Sequence, residues 1–281
     1  MKNSKRHVIQ AVASLIQNAH FSGFFTGKLY DGASKGVCVP GLNCYSCPGA
    51  VGACPIGALQ NSLGAMKFRF PYYVLGMLLF FGALAGRLIC GFLCPFGLLQ
   101  DLIAKIPVKK RNRFRADRPL RFVKYAVLIL TVSLPLFIKL TPFFCKYLCP
   151  SGTVAGVLLS LSDSKLFSVL GGEFACKISV LLIILVLSAI IIRPFCKYLC
   201  PLGAFYGLLN RVSLVRMRCD ADKCVSCGKC ASVCPMGVDP SKHPNDAECI
   251  RCAACVSSCP GSALKLGVAE AKSPDKQKEH R

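Results

Sequence analysis

The sequence has little charge for its length and lacks tryptophan altogether. Only 17% of its 281 residues are charged, 53% are hydrophobic, and the mean hydropathy is +0.51. Soluble domains carry about 25% charged residues, so this composition argues against a soluble globule and favours a membrane protein. Acidic residues are especially few, 13 against 35 lysines and arginines, which gives a formal net charge of +22. A membrane protein can carry such a charge when the basic residues are confined to one side.

Methionine and histidine are also scarce, and this argues against two kinds of metal site. The five methionines do not cluster, whereas Met-rich outer loops would favour copper. The four histidines are scattered, and none stands in the C-x2-C-H context of c-type haem. No acid–base or nucleophilic constellation is visible, so bond-making catalysis is not expected.

Cysteine, by contrast, is abundant, with 20 residues. A disulfide scaffold belongs to small secreted domains and fits this chain poorly. The spacings described below are those of metal sites instead. Each four-thiolate iron–sulfur cubane would bring roughly two negative charges, so several of them would offset part of the formal positive charge.

Four apolar stretches predict membrane spans, each of which needs about 20 residues. The first, residues 7–25, is weak; basic residues precede it without a small-residue cleavage site, so we expect a helix rather than a signal peptide. The others are Tyr72–Ile89, Phe122–Leu140 and Ile178–Ile192. The fourth span is short unless Phe174–Lys177 belongs to it.

Lysine and arginine predict the orientation of these spans. Basic residues are densest in the loop 105–121 and follow the fourth span again at 193–218. Since cytoplasmic loops carry this excess, we expect a multi-pass protein of the cytoplasmic membrane with both termini in the cytoplasm. The basic loop is expected to lie against anionic lipid rather than nucleic acid, and it could also steer an acidic electron carrier.

Residues 151–172 are apolar enough to resemble a fifth span. Asp163 and Lys165 lie in the middle of this stretch, however, and a fifth span would move the C-terminus outside. We therefore interpret it as a re-entrant or interfacial helix, which is tolerated where protein buries it.

A Cys-Pro-x-Gly motif recurs four times along the chain. The copies are CPIGALQ (54–60), CPFGLLQ (94–100), CPSGTVA (149–155) and CPLGAFY (200–206). Two copies follow outward-going spans and two follow inward-going spans. The pattern predicts a duplicated two-helix unit, residues 7–105 and 122–215, with both copies in parallel orientation.

Composition divides the chain into three parts. We predict an α-helical polytopic membrane domain over residues 1–217 and a small α+β domain of the bacterial ferredoxin type over 218–268. A polar tail at 269–281 is expected to be disordered.

Two cysteine runs near the C-terminus carry the strongest signal. CVSCGKCASVCP (224–235) and CIRCAACVSSCP (249–260) are both C-x2-C-x2-C-x3-C-P, in which three cysteines hold one [4Fe-4S] cluster and the fourth ligates the other. The two ligand sets are Cys224, Cys227, Cys230 and Cys259, and Cys249, Cys252, Cys255 and Cys234. Zinc also binds paired C-x2-C motifs, but two complete runs ending in Cys-Pro favour iron–sulfur clusters.

A second pattern, Cys-x3-Cys-Pro, closes the second and fourth spans. Cysteines at i and i+4 share a helix face, and the residue before proline leaves helical geometry while proline starts the next helix. The second cysteine then lies at a helix N-terminus, which suits an anionic cluster. We predict one four-thiolate site on the cytoplasmic side, formed by Cys90, Cys94, Cys196 and Cys200. The alternative is that these cysteines pack in the apolar core.

The outward side offers more cysteines than one cubane needs. The candidates are Cys38, Cys44, Cys47 and Cys54 in one half, and Cys145 and Cys149 in the other. Some of the six are spare or pair with each other, and a disulfide is the main alternative on this side. Cys176 and Cys219 belong to no motif and are treated as ordinary residues.

The stretches GRLICGFLCPFGLLQ, FCKYLCPLGAFYGLL and NCYSCPGAVGACPIGALQ, together with the two C-terminal runs, resemble membrane-bound polyferredoxins of the NapH and NosR type. The resemblance covers about residues 5–265. It implies an electron conduit between the quinol pool or a cytoplasmic donor and a reductase or maturation system. The loop 38–54 is richer in cysteine than the NapH branch leads us to expect, which favours electron transfer through the membrane itself.

We therefore predict an iron–sulfur electron-transfer protein, a subunit of an oxidoreductase rather than a stand-alone enzyme. It would hold two [4Fe-4S] clusters in the ferredoxin domain and one or two more in the membrane domain. A soluble cytoplasmic carrier or dehydrogenase, a quinone and an extracytoplasmic reductase are the expected partners. Alternatives are a metal-handling or assembly factor, since thiolates select Cu(I), and a redox sensor with a dithiol–disulfide couple.

Overall fold

A computed structural model describes residues 3–64, 71–108, 110, 114, 116–138, 142–162 and 172–268. Its regular structure is mostly helical. In chain order the helices are α1 (Asn3–Gln17), α2 (Ser22–Thr26), α3 (Pro55–Gly64), α4 (Tyr72–Ala85), α5 (Leu88–Phe92), α6 (Pro95–Ile103), α7 (Asp117–Ile138), α8 (Pro150–Ser162), α9 (Gly172–Ile190), α10 (Pro194–Tyr198), α11 (Pro201–Leu209), α12 (Lys229–Ser232) and α13 (Ala254–Ser258). A 3-10 turn covers Ala33–Gly36, and a π-helical turn covers Phe144–Leu148.

The described part of the chain also contains one antiparallel strand pair. Strand β1 (Val215–Cys219) pairs with β2 (Leu264–Val268), with Cys219 opposite Leu264. The pair joins both ends of the ferredoxin part of the chain. Because β1 begins at Val215, this unit starts before the predicted boundary between residues 217 and 218. The predicted polar tail, 269–281, lies outside the described residues.

Among the described residues, two helices are long and apolar enough to cross a membrane, by length and composition. They are Asp117–Phe137 of α7 and Gly172–Ile190 of α9, and each is about 30 Å long. They coincide with the third and fourth predicted spans. Helix α9 includes Phe174–Lys177, the residues on which the length of the fourth span depended.

The other two predicted spans are shorter as helices than expected. Helix α4 has 14 residues and ends at Ala85, because Gly86 adopts a positive φ of 54°; it is about 21 Å long. In the first predicted span, α1 ends at Gln17 and α2 begins only at Ser22. In the stretch interpreted as re-entrant, α8 ends at Ser162, and residues 163–171, including Asp163 and Lys165, lie outside the described residues.

Helix α1 places its polar residues inside and its apolar residues outside. Gln10 and Gln17 are buried and donate hydrogen bonds to the carbonyls of Cys94 (3.0 Å) and Leu93 (2.9 Å). The opposite face is exposed and apolar; it contains Val8, Ile9, Val12, Leu15 and Ile16. Such an inverted amphipathic helix suits an apolar surrounding, where polar side chains face the protein interior.

The two helices that are long enough to cross a membrane, α7 and α9, also expose apolar side chains. On α7, Ile129 and Phe137 are exposed, and on α9, Ile183 and Val186 are exposed. Large contiguous apolar surfaces mark membrane or partner contacts rather than a free aqueous surface.

The ferredoxin part packs directly onto the helical part through buried charges. Arg87, which follows α4, donates to the carboxylate of Glu248 (2.7 Å) and to the carbonyl of Ala247 (2.8 Å). Lys124 of α7 also contacts the Glu248 carboxylate. Arg251 donates to the carbonyl of Ala85 (2.9 Å). These contacts fix the ferredoxin domain beside the end of α4, where the second Cys-Pro motif follows.

Candidate iron–sulfur sites

Four buried cysteines from the two halves of the chain line one cavity. They are Cys90, Cys94, Cys196 and Cys200, called here the inner site. Each pair comes from a short helix followed by Cys-Pro. The sulfur of Cys200 interacts electrostatically with the other three. The structure thus brings together the four residues that the sequence predicted to form one site.

The backbone at each Cys-Pro explains how the cysteines reach the cavity. Cys94 and Cys200 are extended (φ −83°, ψ 117° and φ −71°, ψ 112°), and proline begins the next helix after each. The amide of Gly203 donates to the Cys200 sulfur at 3.3 Å. The helix, break, helix prediction is confirmed, and the second cysteine lies at a helix N-terminus, where free N–H groups favour a negative charge.

Two arginines, one from each half of the chain, form hydrogen bonds to the cysteine pair of the other half. Arg87 donates to the carbonyl of Cys196 (2.9 Å), and Arg193 donates to the carbonyl of Cys90 (2.7 Å). Each arginine therefore holds the first cysteine of the opposite pair. Arg193 also forms a two-pronged ion pair with Asp101, with both distances 2.7 Å. The side-chain amide of Gln100 donates to the sulfur of Cys196 at 3.3 Å.

A second group of four thiols lies on the other side of the loop 38–54. It consists of Cys44, Cys54, Cys145 and Cys149, called here the outer site. The Cys149 sulfur interacts electrostatically with the other three. A Cβ added to Gly152 would lie 3.7 Å from the sulfurs of both Cys149 and Cys44. This glycine leaves room beside two of the thiols.

The other two outward candidates have different positions. Cys47 packs with Ala50 and Ala155 and does not line the outer cavity. Cys47 therefore lies outside the cavity that the other outer candidates line, although Cys44 of the outer site packs against the same small cluster. Cys38 reaches the cavity wall but is held in a short parallel bridge to Ala53.

The ferredoxin cysteines form two groups around two cavities. Cys224, Cys227, Cys230 and Cys259 line one, the exposed ferredoxin site. Cys234, Cys249, Cys252 and Cys255 line the other, the buried ferredoxin site. The crossed sets are those the two sequence runs predicted, with Cys259 and Cys234 each joining the other run.

The thiols of these two sites differ in their environment. Burial raises the pKa of Cys249 and of Cys255 to about 12. Such thiols stay protonated at neutral pH unless iron displaces the proton, so cluster binding and deprotonation are coupled there. By contrast, the backbone N–H of Ala263 and its neighbours lowers the pKa of Cys259.

The buried charge around the inner site suits an anionic group. Among the described residues, five buried cationic side chains form ion pairs with buried carboxylates: Arg6, Arg87, Lys124, Arg193 and Lys197. Three carboxylates, Asp101, Asp117 and Glu248, lie among them. Buried charges are stable only when they are compensated, and a four-thiolate cluster would supply roughly two of the missing negative charges. The donor set and this excess of positive charge both fit a [4Fe-4S] cluster.

Each of the four groups of thiols lines its own cavity. Among the described residues, no three His, Cys, Asp or Glu side chains converge closely enough to hold a single metal ion. The thiols of each group surround a shared space instead, as expected for a centre with about one iron per thiolate.

The outer, inner and buried ferredoxin sites lie next to one another. Leu42 lines both the inner and the outer cavity, and a Cβ on Gly41 would lie 3.3 Å from Cys94 Cα. On the other side, a Cβ on Gly91 would lie 2.6 Å from the carbonyl oxygen of Ile250, which lines the buried ferredoxin site. The inner site therefore lies between the outer site and the ferredoxin domain.

Comparisons with known proteins agree with this arrangement. A family model described as a 4Fe-4S binding domain matches residues 70–113, 121–166 and 178–218, and a second 4Fe-4S binding domain matches 220–238. The methylamine utilization ferredoxin-type protein MauN of Paracoccus denitrificans is 30% identical over 64% of this chain and 60% of its own length. The ferredoxin-type protein NapH of Haemophilus influenzae is 28% identical over 57% of this chain and 51% of its own.

The chain is similar to the NapH-type and MauN-type ferredoxin proteins and contains 4Fe-4S binding domains. Its resemblance to that group, expected from the cysteine motifs, is confirmed. The chain spans about half the length of the curated relatives it matches. No solved structure matches it.

Sequence reasoning missed the arginines that hold the inner cysteines. Both follow one rule, since Arg87 and Arg193 each stand three residues before the first cysteine of a Cys-x3-Cys-Pro pair. That repeat could have identified them. They look like topology signals in the sequence, but both are fully buried. Cys219 was also missed: it lines the exposed ferredoxin site as a fifth cysteine.

Proposed function

We propose that this polyferredoxin carries electrons through the membrane along four [4Fe-4S] clusters. The order is the exposed ferredoxin site, the buried ferredoxin site, the inner site and the outer site. The observation that carries the proposal is that four separate cavities are each lined by four predicted cysteine ligands, and that Leu42 lines both the inner and the outer cavity. When bound, the clusters supply one-electron redox chemistry; the protein supplies ligands, potential tuning and exclusion of water.

The position of the outer site removes a difficulty of the conduit model. A bilayer core is about 30 Å thick, and two sites at opposite faces would be too far apart for one electron step. Here Leu42 lines both the inner and the outer cavity, which supports a short step between the two sites. Besides Leu42, the rings of Phe195 and Phe144 lie between them, with centroids 6.4 Å apart, and Phe195 lines the inner cavity while Phe144 lines the outer one.

The outer site has room for an acceptor beside its thiols. Its cavity of about 790 Å³ is the largest of the four, and its wall includes Tyr73, Val74 and Phe174, with Asn61 and Ser62 as polar groups. Binding sites of small molecules are mostly apolar with a few placed polar groups. A quinone is the acceptor or donor that we propose for this cavity.

At the other end, the exposed ferredoxin site faces a soluble cytoplasmic carrier. Cys227 is exposed, and Val225 beside it is 69% exposed. We place this site and both termini in the cytoplasm, in a multi-pass protein of the cytoplasmic membrane with α7 and α9 as spans. Outward apolar side chains on α1, α4, α7 and α9 support this placement.

The experiment is electron transfer across vesicles that contain the full chain. Reduced soluble ferredoxin is supplied outside and cytochrome c is trapped inside, with and without a quinone in the bilayer. We expect reduction of the trapped cytochrome by the wild type and little by Cys149→Ala, which removes an outer ligand; Cys176→Ala, outside every site, is the matched control. Equal rates in wild type, Cys149→Ala and protein-free vesicles would overturn the proposal.

A further inference from the structure

The exposed ferredoxin site contains one thiol more than a cubane uses. Cys219 lines the same cavity as Cys224, Cys227, Cys230 and Cys259. Within this cavity it interacts with Cys224, the cysteine that follows it in the sequence, and with Cys230 and Cys259. It is therefore not an isolated cysteine, although it belongs to neither C-x2-C-x2-C-x3-C-P run.

The strand pair explains why Cys219 points at this site. Alternate residues of a strand face the same side, so Met217 and Cys219 of β1 share a face. Met217 is 1% exposed and lines the buried ferredoxin site, while Cys219 lines the exposed one. Each cavity thus receives one side chain from β1, but only the exposed site receives a thiol.

We propose that Cys219 is a reserve ligand of the exposed ferredoxin site that can replace Cys224. In the exchange, the bond from iron to the Cys224 sulfur breaks and a bond from the same iron to the Cys219 sulfur forms. The Cys219 thiol gives up its proton, and the released Cys224 thiolate takes one up. No electron is gained or lost, and no further reagent is needed.

The exposed site is the one that would benefit from a reserve. Cys227 is exposed and Cys224 is partly exposed, whereas three of the four cysteines of the buried ferredoxin site are buried. Solvent and oxidants therefore reach the exposed site more easily. Losing a ligand there without replacement would interrupt the proposed electron path at its first cluster. This inference rests on the proposed function, because it assumes that the site holds a cluster.

The test compares two cysteines that occupy the same place in the two runs. Cys224→Ala and Cys249→Ala each remove the first cysteine of a run, but only the site of Cys224 has a fifth thiol. Iron and acid-labile sulfide are counted per chain on the anaerobically purified full chain in detergent. We expect Cys224→Ala and Cys219→Ala to match the wild type. Cys249→Ala and the double variant Cys219→Ala/Cys224→Ala should each lose about four iron and four sulfide.

A second readout follows the thiol itself. In the native wild type, Cys219 should react with iodoacetamide, and in Cys224→Ala it should become protected, as read by mass spectrometry of the peptide. Cys176, exposed and outside every site, serves as the internal reference for labelling. Should Cys224→Ala fail to fold, Cys224→Ser, which is nearly isosteric, is read in the same two ways.

Two outcomes overturn the inference. One is that Cys224→Ala loses as much iron as Cys249→Ala; the other is that Cys219 stays reactive in Cys224→Ala. Failure of the proposed function looks different, because Cys227→Ala would then lose no iron relative to the wild type. Under the inference Cys219 replaces Cys224 alone, so the loss of Cys227 is not replaced and costs about four iron.

Discussion

Replacing Glu248 by glutamine should weaken the contact between the ferredoxin domain and the helical part. The Glu248 carboxylate contacts Arg87 (2.7 Å) and Lys124, and both cations are 0% exposed. Burial alone would raise the pKa of Glu248, but the charges of Arg87 and Lys124 lower it below its usual value. The carboxylate is thus ionised at neutral pH, and its charge is the nearest compensation for two buried cations.

The expected loss of stability is that of a buried ion pair from which one partner is removed. Removing one partner and leaving the other charge uncompensated costs about 3–5 kcal/mol. Glu248→Gln keeps the shape and removes the charge, so we expect the free energy of unfolding to fall by about that amount. Adding Lys124→Met should recover part of the loss, because one of the two uncompensated cations is then gone.

The assay is anaerobic unfolding by urea in detergent, followed by the visible absorbance of the iron–sulfur clusters. The control is Glu173→Gln, which removes the same charge from an exposed pair with Lys146 (side chains 59% and 32% exposed). The control should leave the unfolding midpoint unchanged within error, because exposed pairs contribute little. The reasoning is refuted if Glu248→Gln unfolds at the same urea concentration as the control.

Three more predictions concern the sites. Cys149→Ala should lower the iron content by about four per chain, whereas Cys47→Ala should not change it; equal losses would contradict the assignment of the outer site. Gly91→Ala should destabilise the chain by about 1–3 kcal/mol, because the added Cβ would lie 2.6 Å from the Ile250 carbonyl oxygen. Gly76→Ala, which meets nothing within 4 Å, should not destabilise it, as urea unfolding would show. Leu42→Pro should change the reduction potentials of the inner and outer sites together, as read by redox titration, because Leu42 lines both cavities; two unchanged potentials would contradict the shared wall.

Acid should weaken the same domain contact. The lowered pKa of Glu248 means that its charge contributes stability above the ordinary glutamate pKa of about 4.3. That contribution is lost as the pH falls through the still lower pKa of the folded state. Urea midpoints of wild type and Glu248→Gln should therefore converge as the pH drops below about 4. A difference that persists in acid would contradict the role given to this charge.

The parts of the sites that depend on local spacing could be predicted from the sequence. Cys94 and Cys200 precede proline, which imposes the break and the new helix wherever the motif occurs. The two ferredoxin runs fix their ligand sets in the same way. The repeat of the motif predicted that Cys90 and Cys196 would meet, and both line the inner site.

The parts that depend on long-range packing could not be predicted. The sequence offered six outward cysteines without a regular spacing, and only the folded loop 38–54 selects Cys44 and Cys54 over Cys47. Cys219 faces the exposed ferredoxin site because β1 pairs with β2. Even the strand partners closest in sequence, Cys219 and Leu264, are 45 positions apart. No local motif contains that pairing.

Helix length was the least accurate prediction. Hydropathy treated Tyr72–Ile89 as one span, but Gly86 ends α4 and lets Arg87 turn into the protein. A hydropathy average cannot detect a single glycine with positive φ or an arginine that is buried by an ion pair. The same burial makes Arg193 and Lys197 structural charges in addition to the topology signals they provide.

The central claim is that all four groups of cysteines hold clusters, and the direct measurement is iron and acid-labile sulfide per chain. The sample is the wild-type chain, purified without oxygen in detergent. We predict about sixteen of each, four for every [4Fe-4S] cluster. About eight of each would mean that only the ferredoxin domain is loaded, and the proposed path through the inner and outer sites would be wrong.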